Sequence, residues 1–193
     1  MTKACTSLVF VFCYLFFEII DLMYIKKLTD ITTFILDVDG VMTNGQVLVT
    51  DEGNMLRSFN IKDGFAMQLA IKLGYNICVI SGGNSPGVIK RLEGLGITDI
   101  FMKVHEKLPI FKEYILSKNL NSDEIAYMGD DLPDYQLIKQ VGLKCCPQDA
   151  SHDIVEICDF VSAYPGGGGC VRELIEKVIR AQGKWDLESI GVW

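Results

Sequence analysis

Short apolar runs alternate along this chain with segments in which apolar residues recur every three or four positions. The runs predict buried strands, the periodic segments predict helices, and their alternation from residue 33 onward predicts parallel strands joined by crossover helices. We predict strands at 34–38, 76–80, 99–103, 125–128, 143–146 and 160–162, and helices at 65–73, 86–95, 106–117, 133–140, 150–157 and 171–180. The predicted fold class is therefore α/β, a three-layer, doubly wound, Rossmann-like parallel sheet.

The segment "QVLVTDEGNMLRSF" at 46–59 departs from this alternation. Two extended runs flank the turn-forming residues 51–54, which predicts a β-hairpin directly after the first strand. Ligands of open parallel sheets bind beyond the carboxyl ends of the strands. A hairpin that leaves the first strand at that edge is expected to overhang such a site as a flap.

The amino end differs from the rest of the chain. Residues 1–29 form an apolar extension, 30–185 the predicted domain and 186–193 a tail. The run "LVFVFCYLFF" at 8–17 is shorter than the roughly 20 apolar residues of a spanning helix, and no small-residue cleavage site follows it. We interpret it as an upstream extension, with Met23 as an alternative start, and keep a weak membrane anchor as the second interpretation.

Charge and cysteine content narrow the partners and the compartment. The formal charge of -7 and the lack of a long basic run argue against a nucleic-acid surface. The seven cysteines include no CxxC pair, and their odd number suits reduced thiols in a cytoplasm. We therefore expect a cytoplasmic protein with a small-molecule ligand, and membrane contact only through the extension.

Carboxylates, a hydroxyl and an ammonium group come where predicted strands end. They belong to "DVDGV" at 37–41, "SGG" at 81–83, "EK" at 106–107 and "GDDLPD" at 129–134. Because the carboxyl ends of parallel strands share one edge of a sheet, these side chains are expected to meet. The expected group is Asp37, Asp39, Ser81, Lys107, Asp130 and Asp131, the set that Mg²⁺-dependent phosphoryl transfer requires.

The predicted roles follow from the negative charge of a phosphate monoester. Mg²⁺ offsets its repulsion by carboxylates, and we predict as metal ligands the carboxylates of Asp37 and Asp130 and the backbone carbonyl of Asp39. Asp37 is the predicted nucleophile, which forms an aspartyl-phosphate. Asp39 is predicted to protonate the leaving group and then to deprotonate the attacking water.

The remaining motif residues are predicted to handle the phosphoryl charge. Ser81 and the amides of Gly82 and Gly83 would donate to the phosphoryl oxygens, and Lys107 would offset the charge that they share with Asp37. Asp131 would orient a metal-bound water or Lys107.

The four motifs resemble those of the haloacid dehalogenase superfamily of phosphohydrolases. Within it, "FNIKDGFAMQLA", "YMGDDLPDYQLIKQVGL" and "GGGGCVRELI" are similar to the 3-deoxy-D-manno-octulosonate 8-phosphate (KDO 8-phosphate) phosphatase family, over about residues 30–185. The resemblance implies hydrolysis of KDO 8-phosphate for lipopolysaccharide precursors, by a homotetramer whose hairpins and neighbouring subunits close the site. The spacing between motifs leaves no room for a cap domain, as in the capless subclass.

The resemblance also implies substrate contacts and leaves two alternatives. The contacts fall on Asp39, Asn60, Ile61, Lys62, Asp63, Gly64, Gly82, Gly83, Arg91 and Lys107. Lys62 and Arg91 are the expected partners of a sugar-acid carboxylate. Many relatives have arginine where this chain has Gln68 and Gly83, so a nine-carbon 2-keto-3-deoxy sugar-acid phosphate is an alternative substrate. The other alternative is a non-catalytic oligomerisation domain, related to the one fused to acylneuraminate cytidylyltransferases.

Overall fold

The apolar runs form strands, and a computed structural model describes residues 22–190. Its strands are β1 (Thr33–Leu36), β2 (Leu48–Val49), β3 (Met55–Leu56), β4 (Asn76–Ile80), β5 (Asp99–Phe101), β6 (Ile125–Met128), β7 (Leu143–Cys146) and β8 (Phe160–Val161). Its helices are α1 (residues 22–30), α2 (Ile61–Lys72), α3 (Pro86–Gly94), α4 (Lys107–Lys118), α5 (Tyr135–Ile138), α6 (His152–Val155), α7 (Cys170–Ala181) and α8 (Leu187–Ile190). Two 3-10 turns, Ser122–Glu124 and Leu132–Asp134, precede β6 and α5.

Six strands pair in parallel in the order β5-β4-β1-β6-β7-β8. The central strand β1 is buried along its whole length, as expected for a strand covered on both faces. Leu36 pairs in register with Val79 of β4 and Met128 of β6, so the chain leaves all three strands near one line across the sheet. The strand order reverses at β1, where a doubly wound sheet places its ligand.

Apolar side chains on the two faces of the sheet form two separate clusters. One packs Phe34 and Leu36 with α2 and α7, and the other packs Ile35 with Phe111 of α4 and with α5. The apolar face predicted for the closing helix is fully buried; its members are Val171, Leu174, Ile175, Val178 and Ile179. The three-layer α/β fold predicted from the sequence is confirmed.

Several predicted boundaries were wrong by a few residues. Helix α2 begins at Ile61 rather than at residue 65, because Asn60 Oδ1 accepts a hydrogen bond from the Lys62 amide at 2.8 Å and caps the helix. Strand β5 ends at Phe101, because Lys103 adopts the left-handed conformation with φ 60°. The segment predicted as one helix at 133–140 is divided into a 3-10 turn and the short α5.

The hairpin of β2 and β3 is the one insertion between β1 and α2, and no cap domain interrupts the described residues. Residues 22–29 of the predicted extension lie in α1, whose Leu28 packs in the core, whereas residues 1–21 lie outside the described part of the chain. Within residues 22–190, no helix has the length and apolar content that a membrane span requires.

Candidate active site

All of the sequence-predicted catalytic and metal-binding residues line one cavity at the carboxyl edge of the sheet. The cavity has a volume of about 460 Å³, and β1, β4, β6 and the start of α4 supply its walls. The predicted residues that line it are Asp37, Asp39, Ser81, Gly82, Gly83, Lys107, Asp130 and Asp131. Strand order and register therefore bring together groups that lie up to 94 residues apart in the numbering, from Asp37 to Asp131.

Asp37 follows β1 directly and is 7% exposed. Its amide bonds the Met128 carbonyl, and its Oδ2 lies 2.9 Å from the Lys107 ammonium nitrogen. Its Oδ1 is buried without a hydrogen-bond partner. Burial raises the pKa of Asp37 to about 6, although Lys107 acts in the opposite direction. One oxygen of this carboxylate is held and the other is available for chemistry.

Lys107 is the first residue of α4 and is 5% exposed. Its Nζ lies 2.9 Å from Asp37 Oδ2 and 2.6 Å from Asp134 Oδ1. Burial alone would lower the pKa of Lys107, but the two carboxylates raise it above its ordinary value. The 3-10 turn brings Asp134 rather than Asp131 to this ammonium group. The expected role of Asp131, to orient a metal-bound water or Lys107, stays a prediction.

Asp134 is the main residue that the sequence interpretation missed. It is 1% exposed and accepts hydrogen bonds from Lys107, from the Tyr127 hydroxyl and from the amides of Asp130 and Asp131. A Cβ on Gly129 would lie 2.4 Å from Asp134 Cγ, so the glycine makes room for this carboxylate. In the sequence, Asp134 could have been noticed as the third aspartate of "GDDLPD", which follows a proline in a turn.

Three carboxylates converge on one point of the cavity. Oxygen atoms of Asp37, Asp130 and Asp134 lie within 4.8 Å of one another. Burial and the two neighbouring carboxylates raise the pKa of Asp130 to about 7. Asp134 Oδ1 already accepts hydrogen bonds from Lys107 and Tyr127. The carboxylate oxygens that are most available to bind a cation therefore belong to Asp37 and Asp130. Mg²⁺ prefers oxygen ligands, and Asp37 Oδ1 is a buried carboxylate oxygen without a hydrogen-bond partner, so these residues fit Mg²⁺.

Asp39 lies outside this cluster and contacts the hairpin instead. Arg57, which follows β3, approaches Asp39 Oδ1 with Nε at 2.6 Å and Asp39 Oδ2 with Nη2 at 2.9 Å. The hydrogen bond and charge of Asp39 raise the pKa of Arg57. Sequence reasoning missed Arg57, which could have been noticed as a single cation directly after the apolar residues of β3.

The segment Ser81–Gly83 forms the opposite wall. Ser81 is 1% exposed, its amide bonds the Phe101 carbonyl, and its Oγ accepts the Gly83 amide at 3.2 Å. The Lys103 amide bonds the Gly83 carbonyl at 2.9 Å, which ties this loop to the end of β5. A Cβ on Gly83 would lie 3.1 Å from Asp39 Oδ2. The loop therefore presents short groups to the cavity.

The predicted substrate contacts of α2 and α3 do not line this cavity. Asn60 caps α2 and its Nδ2 donates to the Gly167 carbonyl at 3.1 Å, while Ile61 is 80% exposed. Gly64 lies against Arg91, because a Cβ there would be 2.5 Å from Arg91 Nη2. These residues form a separate group of contacts within one chain.

Two further predicted contacts face α7. Lys62 lines a second cavity, of about 720 Å³, together with Arg172. Asp63 is 1% exposed, accepts the Arg172 amide at 2.7 Å with Oδ1, and has a buried Oδ2 without a partner. Burial raises the pKa of Asp63 to about 6. In the single chain these polar groups connect α2 to α7.

Comparison with known proteins identifies the family. The haloacid dehalogenase-like hydrolase family matches residues 91–174. The chain is 33% identical to the 3-deoxy-D-manno-octulosonate 8-phosphate phosphatase KdsC of Escherichia coli K12 over 162 residues, which cover 84% of this chain and 86% of that protein. The chain belongs to the KdsC family of haloacid dehalogenase-like hydrolases.

Solved structures of KdsC-family proteins have the same fold. The Yersinia pestis phosphatase is 31% identical with a TM-score of 0.82, over 84% of this chain and 88% of that chain. The Moraxella catarrhalis phosphatase is 28% identical with a TM-score of 0.84, over 88% of this chain and 98% of that one, and its crystal structure is a complex with magnesium, phosphate and KDO.

Proposed function

We propose that this protein hydrolyses KDO 8-phosphate to KDO and inorganic phosphate through an aspartyl-phosphate on Asp37, with Mg²⁺ as cofactor. One observation carries the proposal: Asp37 is buried at the sheet edge with Oδ2 held by Lys107, Oδ1 unpartnered, and Asp130 beside it. Similarity to KdsC proteins over 84% of this chain supports the choice of substrate.

The first half of the reaction transfers the phosphoryl group to Asp37. An oxygen of Asp37 attacks phosphorus in line, the bond from phosphorus to the sugar oxygen breaks, and the departing oxygen takes a proton from Asp39. Lys107 fixes the carboxylate through Oδ2 and offsets the negative charge that gathers there. The Ser81 hydroxyl and the Gly82 amide would donate to the phosphoryl oxygens, and the Gly83 amide would do so in place of its hydrogen bond to Ser81 Oγ.

In the second half, water attacks the phosphorus of the aspartyl-phosphate. Asp39 takes a proton from this water, the bond to Asp37 breaks, and inorganic phosphate leaves with the carboxylate restored. Asp37 and Asp130 would hold Mg²⁺, with the Asp39 carbonyl as a further ligand and Asp131 near a bound water. When bound, Mg²⁺ reduces the repulsion between the phosphate and the carboxylates.

We further propose that substrate recognition and closure need a second subunit. Asn60, Lys62 and Arg91 of one chain lie away from that chain's own cavity, so a neighbouring chain is the source of such contacts. The hairpin supports this, because its apolar side chains are exposed; these are Leu48, Val49, Met55 and Leu56. A homotetramer, as in the family resemblance, would cover them. A cytoplasmic location agrees with the free cysteines described at 78, 145, 146, 158 and 170.

A nine-carbon sugar-acid phosphate remains the alternative substrate, because this chain has Gly83 and Gln68 at two positions where many relatives have the larger arginine side chain. The deciding experiment is a phosphate-release assay with KDO 8-phosphate and the 9-phosphate of a nine-carbon 2-keto-3-deoxy sugar acid, with and without Mg²⁺. We expect the highest kcat/KM for KDO 8-phosphate, loss of turnover with a chelator, and no turnover for Asp37→Asn. Turnover of neither ester would support the non-catalytic alternative.

A further inference from the structure

The hairpin contacts the candidate active site through Arg57, which bonds the Asp39 carboxylate. The Arg57 side chain is 8% exposed, although its chain neighbours Leu56 and Ser58 are exposed. Its guanidinium meets the Asp39 carboxylate at two points, with Nε 2.6 Å from Oδ1 and Nη2 2.9 Å from Oδ2. Such a two-point contact fixes the plane of a carboxylate as well as its position.

The guanidinium is also fastened to its own strand. Its third nitrogen, Nη1, lies 3.3 Å from the Met55 carbonyl, so all three nitrogens of Arg57 have an acceptor. Arg57 therefore moves with the hairpin rather than independently of it. Whatever displaces β2 and β3 would displace the group that holds Asp39.

Within residues 22–190, Arg57 is the only side chain at hydrogen-bond distance from the Asp39 carboxylate. Asp37, by contrast, is held by Lys107 from the sheet edge. A Cβ on Gly83 would lie 3.1 Å from Asp39 Oδ2 and 3.5 Å from Arg57 Nη2, so the pair lies beside the loop Ser81–Gly83. The direction of the Asp39 carboxylate toward this loop thus depends on Arg57.

We propose that Arg57 is a positioning residue: it aims the carboxylate of Asp39 at the leaving oxygen and links that aim to the position of the hairpin. The inference rests on the phosphatase function proposed above. It assigns to the hairpin a direct role in the chemical step, in addition to covering the site. A competing role, direct binding of a substrate anion by Arg57, predicts different kinetics.

The test compares Arg57→Gln and Arg57→Lys with wild type in single-turnover reactions of two esters. With KDO 8-phosphate, whose sugar oxygen needs a proton to depart, we expect Arg57→Gln to slow phosphoryl transfer by about 10- to 100-fold with little change in KM. With 4-nitrophenyl phosphate, whose leaving group departs without a proton, the same variant should transfer the phosphoryl group within about threefold of wild type. Arg57→Lys should recover part of the loss, because an ammonium group gives one contact of the two.

A double-mutant cycle then asks whether Arg57 acts through Asp39. In an Asp39→Asn background, adding Arg57→Gln should cost nothing further in the KDO 8-phosphate reaction. Lys112→Gln removes an exposed cation from α4 and serves as the matched control, with wild-type kinetics expected. Thermal unfolding of each variant checks that it is folded, and Arg57→Lys remains the test if Arg57→Gln is not.

A higher KM with equal losses of rate on both esters would overturn the proposal in favour of direct anion binding by Arg57. A full additional loss of rate in the Asp39→Asn background would overturn it in favour of a role that does not act through Asp39, either anion binding or a structural role. Failure of the proposed function is a separate result, seen as wild-type protein that does not turn over KDO 8-phosphate. In that event the same cycle is run with whichever alkyl phosphate the wild type hydrolyses, and the same two outcomes decide the role of Arg57.

Discussion

Two groups of buried carboxylates in this protein differ in what they do for the chain. At the sheet edge, Asp37 and Asp134 are held by Lys107 around a cavity, with one oxygen of Asp37 left unpartnered. At the start of α2, Asp63 is also buried and also has one unpartnered oxygen, but its other oxygen accepts the backbone amide of Arg172 in α7 rather than a lysine ammonium group. The first group therefore holds charges ready for a ligand, and the second fastens one helix to another.

The largest expected effect comes from Lys107→Met, which removes the only cation of the sheet-edge group. Two buried carboxylates then lose their shared partner, so we expect the free energy of unfolding to fall by about 3–5 kcal/mol and phosphate release to fall at least about a hundredfold. Urea unfolding and initial rates measure both. Lys112→Met on the exposed face of the same helix is the control. Equal free energies of unfolding for the two variants would contradict the stabilising role of Lys107.

The second prediction concerns pH and Asp63. Because burial raises its pKa to about 6, the folded state binds a proton more tightly than the unfolded state, and stability is lost as pH rises from about 4 to 7. Between these pH values, wild type should lose on the order of 2 kcal/mol more than Asp63→Asn, which cannot titrate. Urea unfolding of both proteins in chelator tests this. Parallel pH profiles of stability would show that Asp63 titrates normally.

Gly129→Ala tests the sheet-edge group without changing a charge. A new Cβ 2.4 Å from Asp134 Cγ must displace this carboxylate, so we expect a cost of about 1–3 kcal/mol and a lower kcat, because Lys107 loses its second anchor. Gly94→Ala is the matched control, since a Cβ there meets nothing within 4 Å. If Gly129→Ala keeps the wild-type kcat, catalysis does not depend on the position of the Asp134 carboxylate.

The smallest expected effect belongs to the helix cap at the start of α2. Asn60→Ala removes the acceptor for the Lys62 amide, and we expect a loss of about 1 kcal/mol. Ser85→Ala changes the same position of α3, where the side chain makes no capping hydrogen bond, and should cost less. Thermal unfolding compares the two. A larger effect of Asn60→Ala on kcat/KM than on stability would instead point to a substrate contact.

The strand ends were predictable because a parallel sheet has one carboxyl edge, so Asp37, Ser81 and Asp130 could be brought together from their spacing alone. Asp134 was not, because its position depends on a 3-10 turn and on the room left by Gly129, neither of which apolar periodicity reports. Arg57 was missed for a similar reason. Its partner Asp39 lies across the gap between hairpin and sheet, and a sequence pattern does not fix how a hairpin folds over.

The substrate contacts that the resemblance implies on α2 and α3 stay predictions, and none of them lines the cavity of the same chain. Lys62 and Arg91 lie elsewhere in a single chain, and their predicted role depends on how copies assemble. Sequence patterns therefore predict the fold of one chain more directly than they predict the contacts between neighbouring chains.

To find out whether Asp37 carries the phosphoryl group, the protein is quenched in acid during turnover of KDO 8-phosphate and the phosphoryl group is located by mass spectrometry. We expect one phosphoryl group on the peptide that contains Asp37, formed within the first turnover and absent from Asp37→Asn. A phosphoryl group on another residue, or a quenched protein without one while phosphate is released at the full rate, would contradict this role of Asp37.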